Sequence, residues 1–206
     1  MTPGEWDRLL RPDLRAALPW ERFETYAREL ERWNRSVRLV GPRDLPGIRL
    51  QIADAVLPFL LVPPRFPLLD IGSGAGLPAL PIALAWPGAV VVCLEPLGKR
   101  ASFLRHAVRV LGLGRVRVVQ SRHEEALREQ PELAGSFASV TARALAAPHS
   151  LLKSARPFLA PSGDVFLLLG SGPAEPPIGW SSVEDLEYPP PPGAGPRRLQ
   201  VYRRID

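Results

Sequence analysis

The sequence predicts an α/β chain built on a doubly wound, mostly parallel sheet of Rossmann-like type. Three observations predict it. From Phe66 onward, short apolar runs alternate with segments of helical periodicity. The runs are apolar on both faces, as strands buried between two helical layers are. The first of them, FPLLDI, leads into a turn with glycine at every second position, Gly72, Gly74 and Gly76. Turns of that kind, between a strand and its helix, let backbone approach a ligand closely.

The first 62 residues read as helices. PWERFETYARELERWN places Trp20, Phe23, Tyr26 (or Ala27), Leu30 and Trp33 at spacings of three and four, with Glu and Arg opposite. The loop GPRDLPG follows, then IRLQIADAVLPFLL returns to helical spacing. Strands are expected at FPLLDI, AVVVCLE, RVRVVQ, FASVTA and DVFLLL. The helices between them are LPALPIALAW, LGKRASFLRHAVRVL, HEEALREQ and PHSLLKSARPFL. Near the end, SSVEDLEY and RRLQVYRRI flank YPPPPGAGP and read as an antiparallel edge pair joined by a stiff polyproline turn. No repeat is present. The expected organisation is one domain over 1–206, with a helical region over 1–62 and an α/β core over 63–206.

Composition bounds the function. At 206 residues, 46% of them apolar, the chain can bury a full core. No apolar run approaches the roughly 18–20 residues of a membrane span, and the polar start MTPGEWDRLLRPD is not a secretory signal. Cys93 is the only cysteine, which excludes an internal disulfide and a multi-thiolate metal site. The three histidines, at 106, 123 and 149, form no ligand pattern. A cytoplasmic, metal-free monomer is the expectation. The net charge of +5 and pI near 10.1 suit a phosphate-rich partner. Nearly all the positive charge is arginine, with Lys99 and Lys153 the only lysines. A GC-rich codon bias, visible in 25 prolines and abundant alanine, accounts for arginine equally well.

The glycine turn is not the dinucleotide fingerprint. Counting G-x-G-x-x-G from Gly72 puts Leu77 where the third glycine belongs; the spacing is D-x-G-x-G-x-G, with Asp70 read as the last strand residue. A carboxylate there repels a pyrophosphate and suits the ammonium of a bound amino acid. S-adenosylmethionine carries that ammonium and no phosphate. The second strand ends at Glu95, 23 residues after Gly72, where an acid accepts both ribose hydroxyls of an adenosine.

These motifs bring the chain close to a known family. ERWN, DIGSGAGLPALPIAL, LEPLGKRASFL, QSRHEEA and TARA, spread over roughly residues 20 to 170, resemble the glucose-inhibited division protein B family. Its members are bacterial small-subunit ribosomal RNA methyltransferases acting on a guanine ring nitrogen. GLP-x-x-P and LGKR-x-x-FL are the more specific parts. The resemblance implies S-adenosylmethionine against Gly72, Gly74, Gly76 and Leu77, with Asp70 beside them and Glu95 on the ribose. It implies adenine contacts at His123 and Glu124, largely through main chain, although a half-exposed loop histidine fits the sequence as well. It implies Arg143 beside the methyl group and substrate, with Lys99 and Arg100 on the substrate side and the region 1–62 helping to bind RNA of the small ribosomal subunit.

The chain also departs from the family pattern. Arg-His-x-x-Asp-Ser is replaced by LQIADA, so Leu50, Gln51 and Ala55 stand for polar residues while Asp54 is kept. Val40 stands for a threonine, Ala138 for an acid and Leu169 for a lysine. Several of these groups would serve a phosphate-rich substrate, so a small-molecule or protein acceptor, or a cofactor-binding chain with a decayed substrate site, stays open.

The acceptor atom is narrowed by elimination. Attack on pyrimidine carbon five needs a nucleophilic cysteine, and Cys93 lies inside a strand between Val92 and Leu94. Exocyclic amines call for Asn/Asp-Pro-Pro-aromatic where this chain reads TARA. Ribose hydroxyls call for a lysine-rich set. Guanine N7, which carries a lone pair and no proton, needs no base and remains.

Overall fold

The computed structural model describes residues 18–143, 148–170, 175–190 and 195–205. Helix α1 is Trp20–Asn34, and its apolar stripe is the buried face, with Phe23, Tyr26, Ala27 and Leu30 inward. Helix α2, Leu45–Leu61, has Pro46 in its first turn, where a missing N–H costs nothing. The alternating core follows as β1 (Leu68–Ile71), α3 (Ala79–Ala85), β2 (Val91–Leu94), α4 (Gly98–Val110) and β3 (Val116–Val119). It continues as α5 (His123–Glu129), β4 (Phe137–Arg143), α6 (Pro148–Ala155), β5 (Leu159–Leu169), β6 (Trp180–Tyr188) and β7 (Arg197–Arg204).

All seven strands form one sheet in the order β3-β2-β1-β4-β5-β7-β6. Strands β1 to β5 pair in parallel, and β7 runs antiparallel between β5 and β6. The mixed doubly wound sheet and its C-terminal edge pair are therefore as the sequence predicts. Residues 191–194 of the polyproline turn lie outside the described residues. Among the boundaries that differ, strand β2 stops at Leu94, so Glu95 follows the strand instead of ending it. Strand β1 continues through Ile71, so Asp70 is the penultimate strand residue. Strand β5 starts at Leu159, before the run DVFLLL, because Leu159 pairs with Phe137 ahead of an irregularity in the ladder.

The sheet separates two apolar layers. Against one face pack Tyr26, Leu30, Ile52, Phe59, Leu80 and Phe103; against the other pack Leu133, Leu152, Phe158 and Trp180. Asp54 on α2 pairs with Arg197 at the start of β7 (3.0 Å), tying the N-terminal helices to the far half of the sheet. No helix of the described residues is long and apolar enough to cross a membrane. The order of strands reverses between β1 and β4, and ligands of open α/β sheets bind at such a switch point, beyond the carboxyl ends of the strands.

Candidate active site

The turn after β1 hangs from the end of β2. The N–H groups of Gly72 and Ser73 both donate to the Leu94 carbonyl, at 2.8 and 3.1 Å, and the Ser73 hydroxyl donates to the Asp70 carbonyl at 2.9 Å. Gly72, Gly74 and Gly76 have φ of 70°, 56° and 85°, the left-handed region that other residues enter at a cost. Gly76 is also required by packing. A Cβ there would lie 2.6 Å from Leu80 and 3.0 Å from Leu104. At Gly74 a Cβ would meet only the Gly72 carbonyl, at 3.8 Å, so that side of the loop is open.

Two buried carboxylates bracket this loop. Asp70 is 1% exposed, and its Oδ1 accepts the Thr141 hydroxyl from the neighbouring position of β4, at 2.8 Å. Glu95, 2% exposed, follows β2 directly. Its Oε2 accepts the Gly74 N–H at 2.8 Å and its Oε1 the Leu97 N–H at 2.9 Å. Glu95 thus has a task that the sequence does not reveal: it fastens the glycine loop to the start of the next loop. Each carboxylate oxygen accepts two hydrogen bonds, so among the described residues one position per oxygen remains, enough for a pair of vicinal hydroxyls. A further clamp comes from outside the sheet, where the buried Tyr26 hydroxyl of α1 donates to the Ala75 carbonyl at 2.6 Å. In the sequence Tyr26 is legible only as part of an apolar stripe.

Beside the loop lies a cleft of about 630 Å³ walled by Gly72, Pro96, His123, Leu127, Ser154 and Phe158, among others. That volume suits a cofactor-sized ligand. His123 opens α5; its Nε2 lies 2.9 Å from the Ser154 hydroxyl and 3.3 Å from Glu124 Oε1. Both His123 and Glu124 line the cleft. Lys99 and Arg100 occupy the first turn of α4, directly after the loop Glu95–Leu97; Lys99 is exposed and Arg100 half-buried. Neither of them lines the cleft. Arg143 is the last residue of β4, in register with Leu168. The residue before it, Ala142, is opposite Ile71, which puts the Arg143 backbone at the carboxyl edge next to the glycine turn. Cys93 is fully buried in β2, and burial pushes its thiol well above the ordinary range, so it is a core residue and no nucleophile. Among the described residues no cluster of His, Cys, Asp and Glu could hold a metal ion.

The chain resembles known proteins in sequence and in fold. A family model described as rRNA small subunit methyltransferase G matches residues 20–176. The Ribosomal RNA small subunit methyltransferase G of Wolinella succinogenes is 35% identical over 150 residues, covering 73% of this chain and 75% of that protein. Its counterpart in Helicobacter pylori is 39% identical over 142 residues, covering 68% and 76%. Among solved structures, a predicted O-methyltransferase of Agrobacterium tumefaciens superimposes with a TM-score of 0.54 at 17% identity, over 76% of this chain and 80% of that one. TYW2 of Pyrococcus horikoshii, solved in complex with MeSAdo, gives 0.51 at 16% identity, over 68% and 57%. These two share the fold. With a glycine loop bracketed by Asp70 and Glu95 at the switch point, and with a match across residues 20–176, the chain belongs to the GidB family of rRNA small subunit methyltransferases.

Proposed function

We propose that this chain transfers the methyl group of S-adenosylmethionine to N7 of a guanine in the RNA of the small ribosomal subunit. The observation that carries the cofactor half is the pair of buried carboxylates, Asp70 and Glu95, around an open glycine loop. Such a loop favours a cationic, phosphate-free ligand over a dinucleotide. The donor set fits: Glu95 keeps acceptor positions for two ribose hydroxyls, Asp70 supplies negative charge for an ammonium, and the open side of Gly74 admits close approach. His123 and Glu124, which line the cleft, are assigned to the adenine side.

When bound, S-adenosylmethionine supplies an electrophilic methyl on its sulfonium. The residues of the chain bind and align; none has to take up a proton, because guanine N7 has none to lose. Arg143, at the end of β4, is the group assigned to the guanine edge, since a guanidinium pairs bidentately with N7 and O6. A base in structured RNA must first leave its stack, and the region 1–62, with Lys99 and Arg100, is assigned to holding the backbone meanwhile.

The test offers radiolabelled cofactor to small ribosomal subunits, naked RNA and total protein side by side. Label is expected in RNA, released as 7-methylguanine on digestion. Arg143→Ala should keep cofactor affinity within a few-fold while transfer collapses, and Arg143→Lys should rescue poorly, because a point charge replaces a planar fork. Label only in protein overturns the guanine assignment, and wild-type transfer by Arg143→Ala removes Arg143 from the guanine edge.

A further inference from the structure

The arginines of the N-terminal helices divide into two sets. Arg49 is held by Glu24 through two hydrogen bonds, at 3.0 and 2.7 Å. Arg28 pairs with the same carboxylate at 2.9 Å, and Arg32 with Glu29 at 2.7 Å. Arg35, Arg38 and Arg43 differ. All three are exposed, none forms an ion pair among the described residues, and together with Asn34 and Ser36 they line one depression of about 390 Å³. The only acid in the segment 35–44 is Asp44. Its Oδ1 leans over the first turn of α2, 2.8 Å from where a Cβ on Gly47 would stand.

The backbone beneath these arginines is fixed. Asn34 Oδ1 accepts the N–H groups of Leu39 (2.8 Å) and Val40 (3.0 Å), and its Nδ2 donates to the carbonyls of Val40 (3.2 Å) and Pro42 (2.8 Å). Leu39 and Val40 pack against the core. Three like charges are thus presented on one preorganised loop, which lowers the ordering cost of binding an anion.

The loop is also tied to the glycine turn through α1. Arg22, near the start of α1, hydrogen-bonds the carbonyl of Leu111, just past the end of α4. Trp33, near the end of α1, packs on Phe103 and His106, with ring centres 5.7 and 5.3 Å apart. Tyr26 also stacks on Phe103, with ring centres 6.5 Å apart, so α1 crosses α4 beside the glycine loop. At 1.5 Å per residue, Asn34 stands about 12 Å further along the axis than Tyr26, which touches the glycine loop.

We propose that Arg35, Arg38 and Arg43 form a cradle for the phosphate backbone of the RNA, at the end of the helix that touches the glycine loop, and that Arg28, Arg32 and Arg49 contribute little to it. The proposal rests on the reading of RNA as substrate. Guanidinium forks match phosphate oxygens bidentately, and unneutralised ones give up no ion pair to do so.

The test measures binding of the full chain to a single-stranded RNA oligonucleotide across a salt series. Each phosphate contact adds roughly 0.7 to the slope of log affinity against log salt, so R35A/R38A/R43A should lower the slope by roughly 2. R28A/R32A should leave it within error of wild type, and cofactor affinity should be the same in all three proteins. Inorganic phosphate at constant ionic strength should not displace the RNA, because a polymer alone can make the three contacts together. An unchanged slope in the triple variant, an equal drop in the double variant, or displacement by free phosphate overturns the cradle. Methylation is scored separately. A lowered slope with no methyl transfer by wild type sinks the functional reading and leaves the cradle standing; an unchanged slope with normal transfer does the reverse.

Discussion

Glu95 and Asp164 are both buried carboxylates, 2% and 5% exposed, at opposite ends of the parallel sheet. Asp164 lies at the amino end, in register with Ser139, and is enclosed by two arginines: Arg65 at 2.9 Å and Arg203 at 2.8 Å. Glu95 lies at the carboxyl end and accepts two backbone N–H groups. The first carboxylate is neutralised and staples β5 to its surroundings. The second is held by main-chain donors and has no arginine beside it among the described residues, a condition that stability alone does not favour. The contrast teaches where to look for function: a buried acid that, among the described residues, serves only main-chain donors, beside a loop with an open side, is poised for a ligand.

The glycines give the widest separation between the two ends. Gly76 combines positive φ with a Cβ that would collide with Leu80 and Leu104. Gly76→Ala is expected to cost about 2–5 kcal/mol from strain and overpacking together. Gly112, at the amino end, has φ of 59° but nothing within 4 Å of an added Cβ. Gly112→Ala should cost only about 1 kcal/mol. Denaturant unfolding of both variants measures the difference, and equal losses would erase it.

Next in size is Glu95→Ala. Losing an acceptor of buried hydroxyls should weaken S-adenosylmethionine by roughly 10- to 100-fold, or about 1–3 kcal/mol. Calorimetry that finds unchanged affinity removes Glu95 from the ribose. Asp164→Ala should do the converse, leaving cofactor affinity untouched while lowering stability by about 1–2 kcal/mol. The figure is moderate because Arg65 and Arg203 are about half exposed and can turn to water.

The smallest effect sharpens the comparison on a third carboxylate. Hydrogen bonds from Arg49 hold Glu24 down to about 2, from an ordinary 4.5. A depressed acid contributes stability above its unfolded value and loses it as pH falls through the folded one. Arg49→Ala should therefore destabilise by about 1 kcal/mol at neutral pH, with the gap from wild type closing between about pH 4.5 and pH 2. A gap that is constant across this range would assign the loss to packing of the arginine stem.

The parallel strands and their order of appearance are legible because burial on both faces leaves a continuous apolar run, as in VVVCLE. The glycine loop and its two acids are legible because spacing alone reports them. Three kinds of feature are not. Thr141 beside Asp70, Tyr26 on Ala75 and Ser154 beside His123 join residues 71, 49 and 31 positions apart, and no local pattern encodes a contact at that distance. The start of β5 is hidden because LAPSG lacks strand character; pairing with Phe137, not propensity, makes it extended. The two classes of arginine are invisible as well, since Arg28 and Arg35 look alike until Glu24 is seen to claim one of them.

The hydroxyl of Tyr26 has a mechanical consequence. It is fully buried, and its acceptor is the backbone of the glycine loop itself. Helix α1 cannot slide or tilt without either breaking that buried bond or dragging Ala75 along. Loop and helix therefore share their fluctuations. Whatever stiffens the loop stiffens the helix that ends at Asn34, and by thermodynamic reciprocity whatever grips the far end of that helix is felt by the loop.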